Sequence, residues 1–277
     1  MRNELFTIGP FTVYGYGLMI AIGAFAAYLV SEFRAKRLGL KHELIFALFW
    51  WCLGGGILGA KLLYIITQLK EIAADPSILL NVSEGFVVYG GIIGGILGGF
   101  IFCRIKKLEF LKYFDLVMPS IALAQAFGRV GCTFAGCCYG NDTDSVFHIV
   151  FHESKFAPND IALIPTQPLS SGLNFLNFLV LVFLSKRVKA DGQIAGFYLV
   201  FYSAGRFILE FFRGDLVRGH IGVLSTSQFI AIFLFLFGLA LVIFCGKNPK
   251  LQKVSAVTDN NSVISDSNDN DSSEDNE

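Results

Sequence analysis

Long apolar runs, separated by short polar segments, occupy most of the chain. Seven of them are candidates for transmembrane helices, since about 20 apolar residues are needed to cross the hydrocarbon core of a bilayer. These runs cover residues 16–30, 44–66, 86–102, 114–127, 173–185, 194–212 and 229–245, and the fifth is short. The pattern predicts an all-α, polytopic integral membrane protein with seven transmembrane helices.

The carboxyl-terminal segment has a different character. Residues 248–277 are rich in Ser, Asn and Asp and include seven acidic residues. Such a segment buries too little apolar surface to fold, so we expect a disordered acidic tail in the cytoplasm. Residues 1–247 then form the membrane domain, with a loop of residues 128–172 on its outer face.

The composition supports a membrane protein. Hydrophobic residues make up 54% of the chain and charged residues 16%, whereas about 25% of the residues in a soluble domain are charged. The formal net charge of zero combines a basic membrane domain with the acidic tail. We therefore expect a lipid bilayer, and no nucleic acid, among the partners of this protein.

The basic residues alternate between the two sides of the predicted spans. Fourteen of the 22 Lys and Arg residues follow the first, third, fifth and seventh spans, and six lie in the loops on the other side. Because Lys and Arg are enriched in cytoplasmic loops, we expect the amino terminus outside and the carboxyl terminus in the cytoplasm. The amino terminus lacks the pattern of a cleavable signal peptide, so the first apolar run is expected to be retained.

Glycine is concentrated in the second and third spans. Gly90, Gly94 and Gly98 recur at a spacing of four, and a parallel column begins at Gly91. Small residues at this spacing favour close packing of membrane helices. Gly90 and Gly91 also follow Tyr89 near a membrane surface, where bare backbone is able to approach a lipid headgroup.

Arg206 and Glu210 lie one helical turn apart inside an otherwise apolar run, and therefore on one face of a helix. Ionisable groups at membrane depth are costly unless they are paired or face a polar cavity, so they usually mark a functional site. The alternative is a structural ion pair that fixes helix packing.

Four further polar residues lie in the same half of the membrane if the predicted orientation holds, namely Tyr16, Lys61, Tyr89 and Arg129. A pocket with several cations favours an anionic phospholipid, because guanidinium groups bind phosphate oxygens in a bidentate manner. The alternative is a belt of aromatic and snorkelling basic residues, which accounts well for Tyr16 and Lys61.

Six cysteines fall into two groups. Those within the predicted spans are most simply small apolar residues: Cys52, Cys103 and Cys245. Cys132, Cys137 and Cys138 lie close to the predicted outer surface, where a disulfide, a reactive thiolate beside Arg129 or tight-turn packing are all open. Their spacing matches no standard zinc or haem motif, so neither a metal nor a cofactor is expected. The four histidines lie in predicted loops: His42, His148, His152 and His220.

Several segments, in order along residues 8–245, resemble the prolipoprotein diacylglyceryl transferase family. Residues 128–140 are similar to its signature loop, which includes Arg129, Gly131 and Gly140. Similar residues also occur at Tyr16, Lys61, Tyr89, Gly90, Gly91, Asp115, Pro119, Pro165, Thr166, Gln167, Tyr202, Arg206, Glu210, Arg213, Leu224, Ser225 and Gln228. The resemblance implies a multi-pass enzyme of the bacterial cytoplasmic membrane with seven spans.

The reaction implied by this resemblance moves a diacylglyceryl group from phosphatidylglycerol to the lipobox cysteine of a prolipoprotein signal peptide. The resemblance further implies that Arg129 and Arg206 bind the phosphate and that Glu210 orients Arg206. Tyr16 and Tyr202 would line the pocket, and the substrate-binding set is completed by Gly90, Gly91 and Gly140. The catalytic set is Tyr89, Arg206 and Glu210.

The chain departs from the family at several of these positions. The family has His where this chain has Tyr89, Asn where it has Cys132 and Ala135, and Glu where it has Cys137 and Ser170. A phenol with a pKa near 10 is a weaker base at neutral pH than an imidazole. The alternative function is therefore a divergent paralogue that binds or modifies anionic lipid, with another acceptor or without transferase activity.

Overall fold

The computed structural model describes residues 4–8, 11–74, 85–215, 220–222 and 224–248. Arg2, Arg218 and the acidic tail beyond residue 248 lie outside the described residues. Eight α-helices dominate these described residues: α1 (Gly15–Arg37), α2 (Ile45–Thr67), α3 (Leu69–Ala74), α4 (Val88–Ile105), α5 (Phe110–Ala135), α6 (Thr166–Leu184), α7 (Gln193–Glu210) and α8 (Thr226–Lys247). A short 3-10 turn, His42–Leu44, precedes α2.

In the part of the chain that the structure describes, three small antiparallel hairpins add strands that the sequence patterns did not predict. They pair β1 (Glu4–Ile8) with β2 (Phe11–Tyr14), β3 (Ile149–Val150) with β4 (Ala162–Leu163), and β5 (His220–Ile221) with β6 (Leu224–Ser225). Each hairpin lies in a connection next to a long helix. The protein is therefore mostly helical, with short strands confined to the loops.

Each predicted span coincides with one long helix, but the helices differ in composition. Five of them are long and apolar enough to cross a membrane: α1, α2 with its preceding turn, α4, α6 and α8. The other two long helices, α5 and α7, are less apolar and carry charged residues within their length, among them Asp115 and Arg129 on α5 and Arg206 on α7. These apolar helices indicate a multi-pass membrane protein.

Glycine packing joins α2 to α4. A Cβ atom at Gly59 would overlap the carbonyl oxygen of Gly90, and one at Gly94 would overlap that of Gly55. The prediction of close packing through small residues is thus confirmed for this helix pair. Gly90 is accounted for by this contact, whereas Gly91 has ordinary space, with the Gly56 oxygen 3.5 Å from an added Cβ.

Helix α5 contacts α1, α4, α6 and α7, so it lies inside the bundle. Its buried Asp115 accepts hydrogen bonds from the backbone N–H groups of Gly192 and Ala195 at the start of α7, at 2.8 and 2.9 Å. Arg34 on α1 donates to the carbonyl oxygen of Leu116. These buried contacts fix α5 against α1 and α7, the arrangement that positions the polar residues at the other end.

Candidate anion-binding site and cysteine cluster

The loop after α5 is held in place by the first residues of α6. Helix α5 is capped at its carboxyl end by Gly136, which adopts a left-handed conformation with φ 71° that glycine tolerates. Beyond it, Gln167 Nε2 donates to the carbonyl oxygen of Cys137 at 3.0 Å, and Thr166 Oγ1 donates to that of Cys138 at 2.9 Å. The Thr-Gln segment, which the sequence marked only by resemblance, therefore positions the two cysteines.

The same loop is joined to the end of α7. Asn141 N donates to the carbonyl oxygen of Phe212 at 2.9 Å, and Gly214 N donates to that of Tyr139 at 3.1 Å. Gly140 lies between these bonds, where an added Cβ would overlap the carbonyl oxygen of Ile164. Because Gly140 has no side chain, the residues after α7 are able to pack close to the cysteines.

A narrow cleft between α5, α6 and α7, with a volume of about 20 Å³, is lined by the predicted arginines. Its lining includes Arg129 from α5, Asn174 and Asn177 from α6, and Tyr202 and Arg206 from α7. Asn177 is buried, and neither of its amide atoms has a hydrogen-bond partner in the described part of the chain. Sequence analysis missed both asparagines, although their spacing of three on an apolar helix places them on one face.

One of the cleft arginines, Arg206, forms an ion pair with Glu210 behind the cleft. Arg206 Nη2 is 2.8 Å from Glu210 Oε2, and their side chains are 14% and 8% exposed. Arg206 Nη2 also donates to Ser227 Oγ at 3.1 Å, and Ser225 Oγ donates to Glu210 Oε1 at 3.1 Å. The carboxylate therefore holds Arg206 in one orientation, supported by hydroxyl groups from the start of α8.

Positive charge exceeds negative charge in this region. Arg213 pairs with Asp215 through its Nε at 2.8 Å and lies 3.9 Å from Glu210. Arg129 and Arg206 are the other two cations, and among the residues that the structure describes Arg129 forms no ion pair. Because a buried guanidinium without a counter-ion is unfavourable, the cleft favours an anionic ligand.

Three thiols lie beside the arginines. The Sγ atoms of Cys132, Cys137 and Cys138 are all within 4.8 Å of one another, and the three residues are partly buried and form no disulfide within the described part of the chain. Hydrogen bonds from the thiols of Cys132 and Cys137 lower the pKa of the Cys138 thiol, and the Arg213 and Arg129 guanidiniums lower it further. We call these three residues the cysteine cluster.

Tyr16 lies close to the cysteine cluster and interacts electrostatically with it and with Arg129. Its ring lies beside Gly131, whose added Cβ would be 3.2 Å from Tyr16 Cδ2. Tyr89 is placed differently: it lies on the first turn of α4, is 52% exposed and is not among the residues lining the cleft. Lys61 interacts instead with the rings of Tyr64 and Phe86, each 5.4 Å from its Nζ.

The histidines lie away from the cleft lining. His152 is exposed and pairs with Asp160 at 2.6 Å in the loop between α5 and α6, and His148 bonds the carbonyl oxygen of Ser145. The structure thus brings together Arg129, Arg206, Glu210, Tyr16 and Tyr202, while Tyr89 and Lys61 lie on the α2–α4 pair.

The bundle and its cleft define a class of protein: a multi-pass helical membrane protein in which two arginines line a cleft next to three thiols. Comparison with known proteins assigns it more closely. Residues 3–244 match the family model described as prolipoprotein diacylglyceryl transferase, and the chain belongs to this family. It is therefore a transferase.

Its relatives match over nearly their whole length. A phosphatidylglycerol–prolipoprotein diacylglyceryl transferase of Clostridium tetani is 44% identical over 86% of this chain and 96% of its own. A second such enzyme, from Clostridium perfringens, is 43% identical over 87% and 94%. One from Finegoldia magna is 32% identical over 88% and 95%.

Proposed function

We propose that this protein transfers the diacylglyceryl group of phosphatidylglycerol to the lipobox cysteine thiol of a prolipoprotein. The observation that carries the proposal is Arg129, a guanidinium that lines a cleft among membrane helices without a carboxylate partner in the described residues. A phosphodiester would supply the missing negative charge. The names of the relatives, which specify phosphatidylglycerol and prolipoprotein, support the same substrates for this chain.

In this proposal the arginines hold the phosphate of the lipid and stabilise it as it departs. Arg129 and Arg206 approach it from α5 and α7, and Glu210 fixes Arg206 in orientation. The acceptor thiolate attacks the glyceryl carbon that bears the phosphate, the carbon–oxygen bond breaks, and glycerol phosphate leaves with the electron pair. Such preorganised cations lower the barrier because negative charge develops on the leaving group.

The remaining predicted residues have supporting roles. Tyr202 lines the cleft and Tyr16 lies beside the cysteine cluster. The buried Asn177 amide, unpartnered within the described residues, favours a ligand with polar atoms. Gly140 permits the loop contact with Ile164 that positions the residues around Arg213. Contact of Gly90 and Gly91 with a lipid headgroup stays a prediction.

The test is direct. Full-length protein in phosphatidylglycerol micelles, given a lipobox peptide, is expected to yield a peptide with a thioether-linked diacylglyceryl group and one equivalent of glycerol phosphate, both measured by mass spectrometry. A peptide with Ser in place of the lipobox Cys is the control. Binding of phosphatidylglycerol without any peptide modification would reject the transferase and favour the alternative of a lipid-binding paralogue.

We also propose seven spans in the bacterial cytoplasmic membrane, with the amino terminus outside and the carboxyl terminus in the cytoplasm. The distribution of basic residues supports this orientation. A reporter active only in the cytoplasm is expected to work at the carboxyl terminus and to fail when inserted at Val146, a residue of the 128–172 loop that is 90% exposed. The reverse result would contradict the orientation and the outer position of the cleft.

That Tyr89 acts as the acid or base stays a prediction from the resemblance. Replacing Tyr89 with Phe removes only the phenol hydroxyl and therefore tests this role. If the phenol transfers a proton, Tyr89→Phe reduces the turnover number by a factor on the order of 10² to 10⁴. Tyr16→Phe is the variant for comparison, since it removes a phenol beside the cysteine cluster. Because Tyr89 is half-exposed and outside the cleft lining, we expect the larger loss with Tyr16→Phe; the opposite order would return the role to Tyr89.

A further inference from the structure

The cleft lacks an evident base for the acceptor thiol. Among the described residues that line it there is no histidine, and Glu210 behind it is already ion-paired with Arg206 and accepts a hydrogen bond from Ser225. A cysteine thiol with a pKa near 8.5 is only slightly ionised at neutral pH. Some group has to stabilise the thiolate if transfer is to be fast.

The cysteine cluster has the geometry of a three-ligand metal site. Thiolate sulfurs that bind one zinc ion tetrahedrally at about 2.3 Å lie about 3.8 Å apart. The three Sγ atoms are already within 4.8 Å of one another, so small side-chain rotations bring them to that separation. The spacing along the chain did not indicate this, because the left-handed turn at Gly136 folds Cys137 and Cys138 back towards Cys132.

The surroundings also suit a thiolate–metal site. The Arg213 guanidinium lies close to the Cys138 thiol, and a donor at such a position orients a metal ligand and offsets its negative charge. Gln167 and Thr166 fix the backbone carbonyl groups of Cys137 and Cys138. Residues outside the cluster therefore hold Cys137 and Cys138 in place, as a preformed metal site requires.

The position of the cluster places it beside the phosphate-binding arginine. Arg129 and Cys132 are three residues apart on α5 and so share one face of the helix. The Arg129 guanidinium also interacts electrostatically with both Cys132 and Cys138. A nucleophile bound at the cluster would therefore lie next to a phosphate bound at Arg129. Alkylation of a thiol requires the nucleophilic sulfur and the departing phosphate to lie close together in this way.

We propose that Cys132, Cys137 and Cys138 bind a soft divalent metal ion, zinc in particular, whose fourth position takes the sulfur of the acceptor cysteine. This proposal rests on the proposed function. Zinc sites with three protein ligands keep an open position, and a thiol bound there loses its proton to solvent. The bound thiolate attacks the glyceryl carbon, glycerol phosphate departs with the electron pair, and the thioether product, a weak neutral ligand, dissociates. No oxidation or reduction occurs.

The experiment measures metal binding separately from activity. Full-length protein is purified in detergent with reductant, stripped by a chelator, and titrated with Zn²⁺ for metal content and with Co²⁺ for thiolate-to-metal charge-transfer absorption. We expect one ion per chain, an affinity loss on the order of 10²-fold or more in Cys132→Ser, Cys137→Ser and Cys138→Ser, and no change in Cys52→Ala, which removes a cysteine of α2. Adding the lipobox peptide should strengthen the cobalt–thiolate absorption, and the Ser peptide should not.

The outcomes separate the two proposals. If reduced wild-type protein binds neither ion, or if the three variants bind as well as wild type, the metal site is rejected. A disulfide between two of these cysteines in the active protein would reject it too. If the chelated protein transfers diacylglyceryl at the full rate, the metal inference fails while the transferase stands; if one ion binds at the cluster but no preparation modifies the peptide, the transferase fails while the metal site stands.

Discussion

Arg129→Gln is expected to lower the rate of diacylglyceryl transfer by a factor on the order of 10² to 10³, the usual cost of removing one preorganised donor to a developing negative charge. Binding of phosphatidylglycerol should weaken as well, because the charge-assisted contact to the phosphate is lost. Rates with the lipobox peptide and lipid binding measured by native mass spectrometry check both effects.

The stability of the Arg129→Gln variant should respond differently from its activity. Arg129 forms no ion pair in the described part of the chain, so its removal relieves an uncompensated, partly buried charge. The thermal unfolding temperature of lipid-free Arg129→Gln protein is therefore expected to equal or exceed that of wild type. Arg104→Gln, at the end of α4 and over the Phe100 ring, is the matched control and should retain activity. A fall in unfolding temperature with Arg129→Gln, without loss of transfer, would make Arg129 a structural residue.

Glu210→Ala is expected to destabilise the fold strongly. The substitution leaves Arg206 and Arg213 facing each other with the carboxylate between them removed, and breaking a buried ion pair in this way costs about 3 to 5 kcal/mol. Unfolding in detergent, followed by heat or denaturant, measures the loss. Glu32→Ala is the matched control, because Glu32 pairs with Lys36 at the same spacing of four but with a Lys36 side chain that is 52% exposed, and no measurable change is expected there.

The double variant Arg206→Ala/Glu210→Ala separates structure from function. It removes both charges of the pair, so stability should largely recover relative to Glu210→Ala, while lipid binding and transfer should stay low because a phosphate ligand is missing. Recovery of stability and of lipid binding together would show that the Arg206–Glu210 pair is only structural.

Local features of this chain follow from sequence spacing. The apolar runs locate every long helix, and the glycine columns predict the contact that joins α2 to α4. The Arg206–Glu210 pair is equally local, since residues four apart on one helix are neighbours whatever the rest of the fold does. Helical periodicity and the cost of burying polar groups in an apolar run are properties of neighbouring residues, so the sequence by itself determined these features.

Contacts between distant segments depended on tertiary packing. The approach of Arg213 to Cys138 requires the loop bonds around Gly140, and the clustering of Cys132 with Cys137 and Cys138 requires the turn after α5. Tyr89 matched a family position in sequence, yet its helix packs chiefly against α2 and leaves its ring half-exposed. Such positions are decided by which helices pack together and at which depth, because the side chains involved lie far apart along the chain and meet only when the whole bundle is assembled.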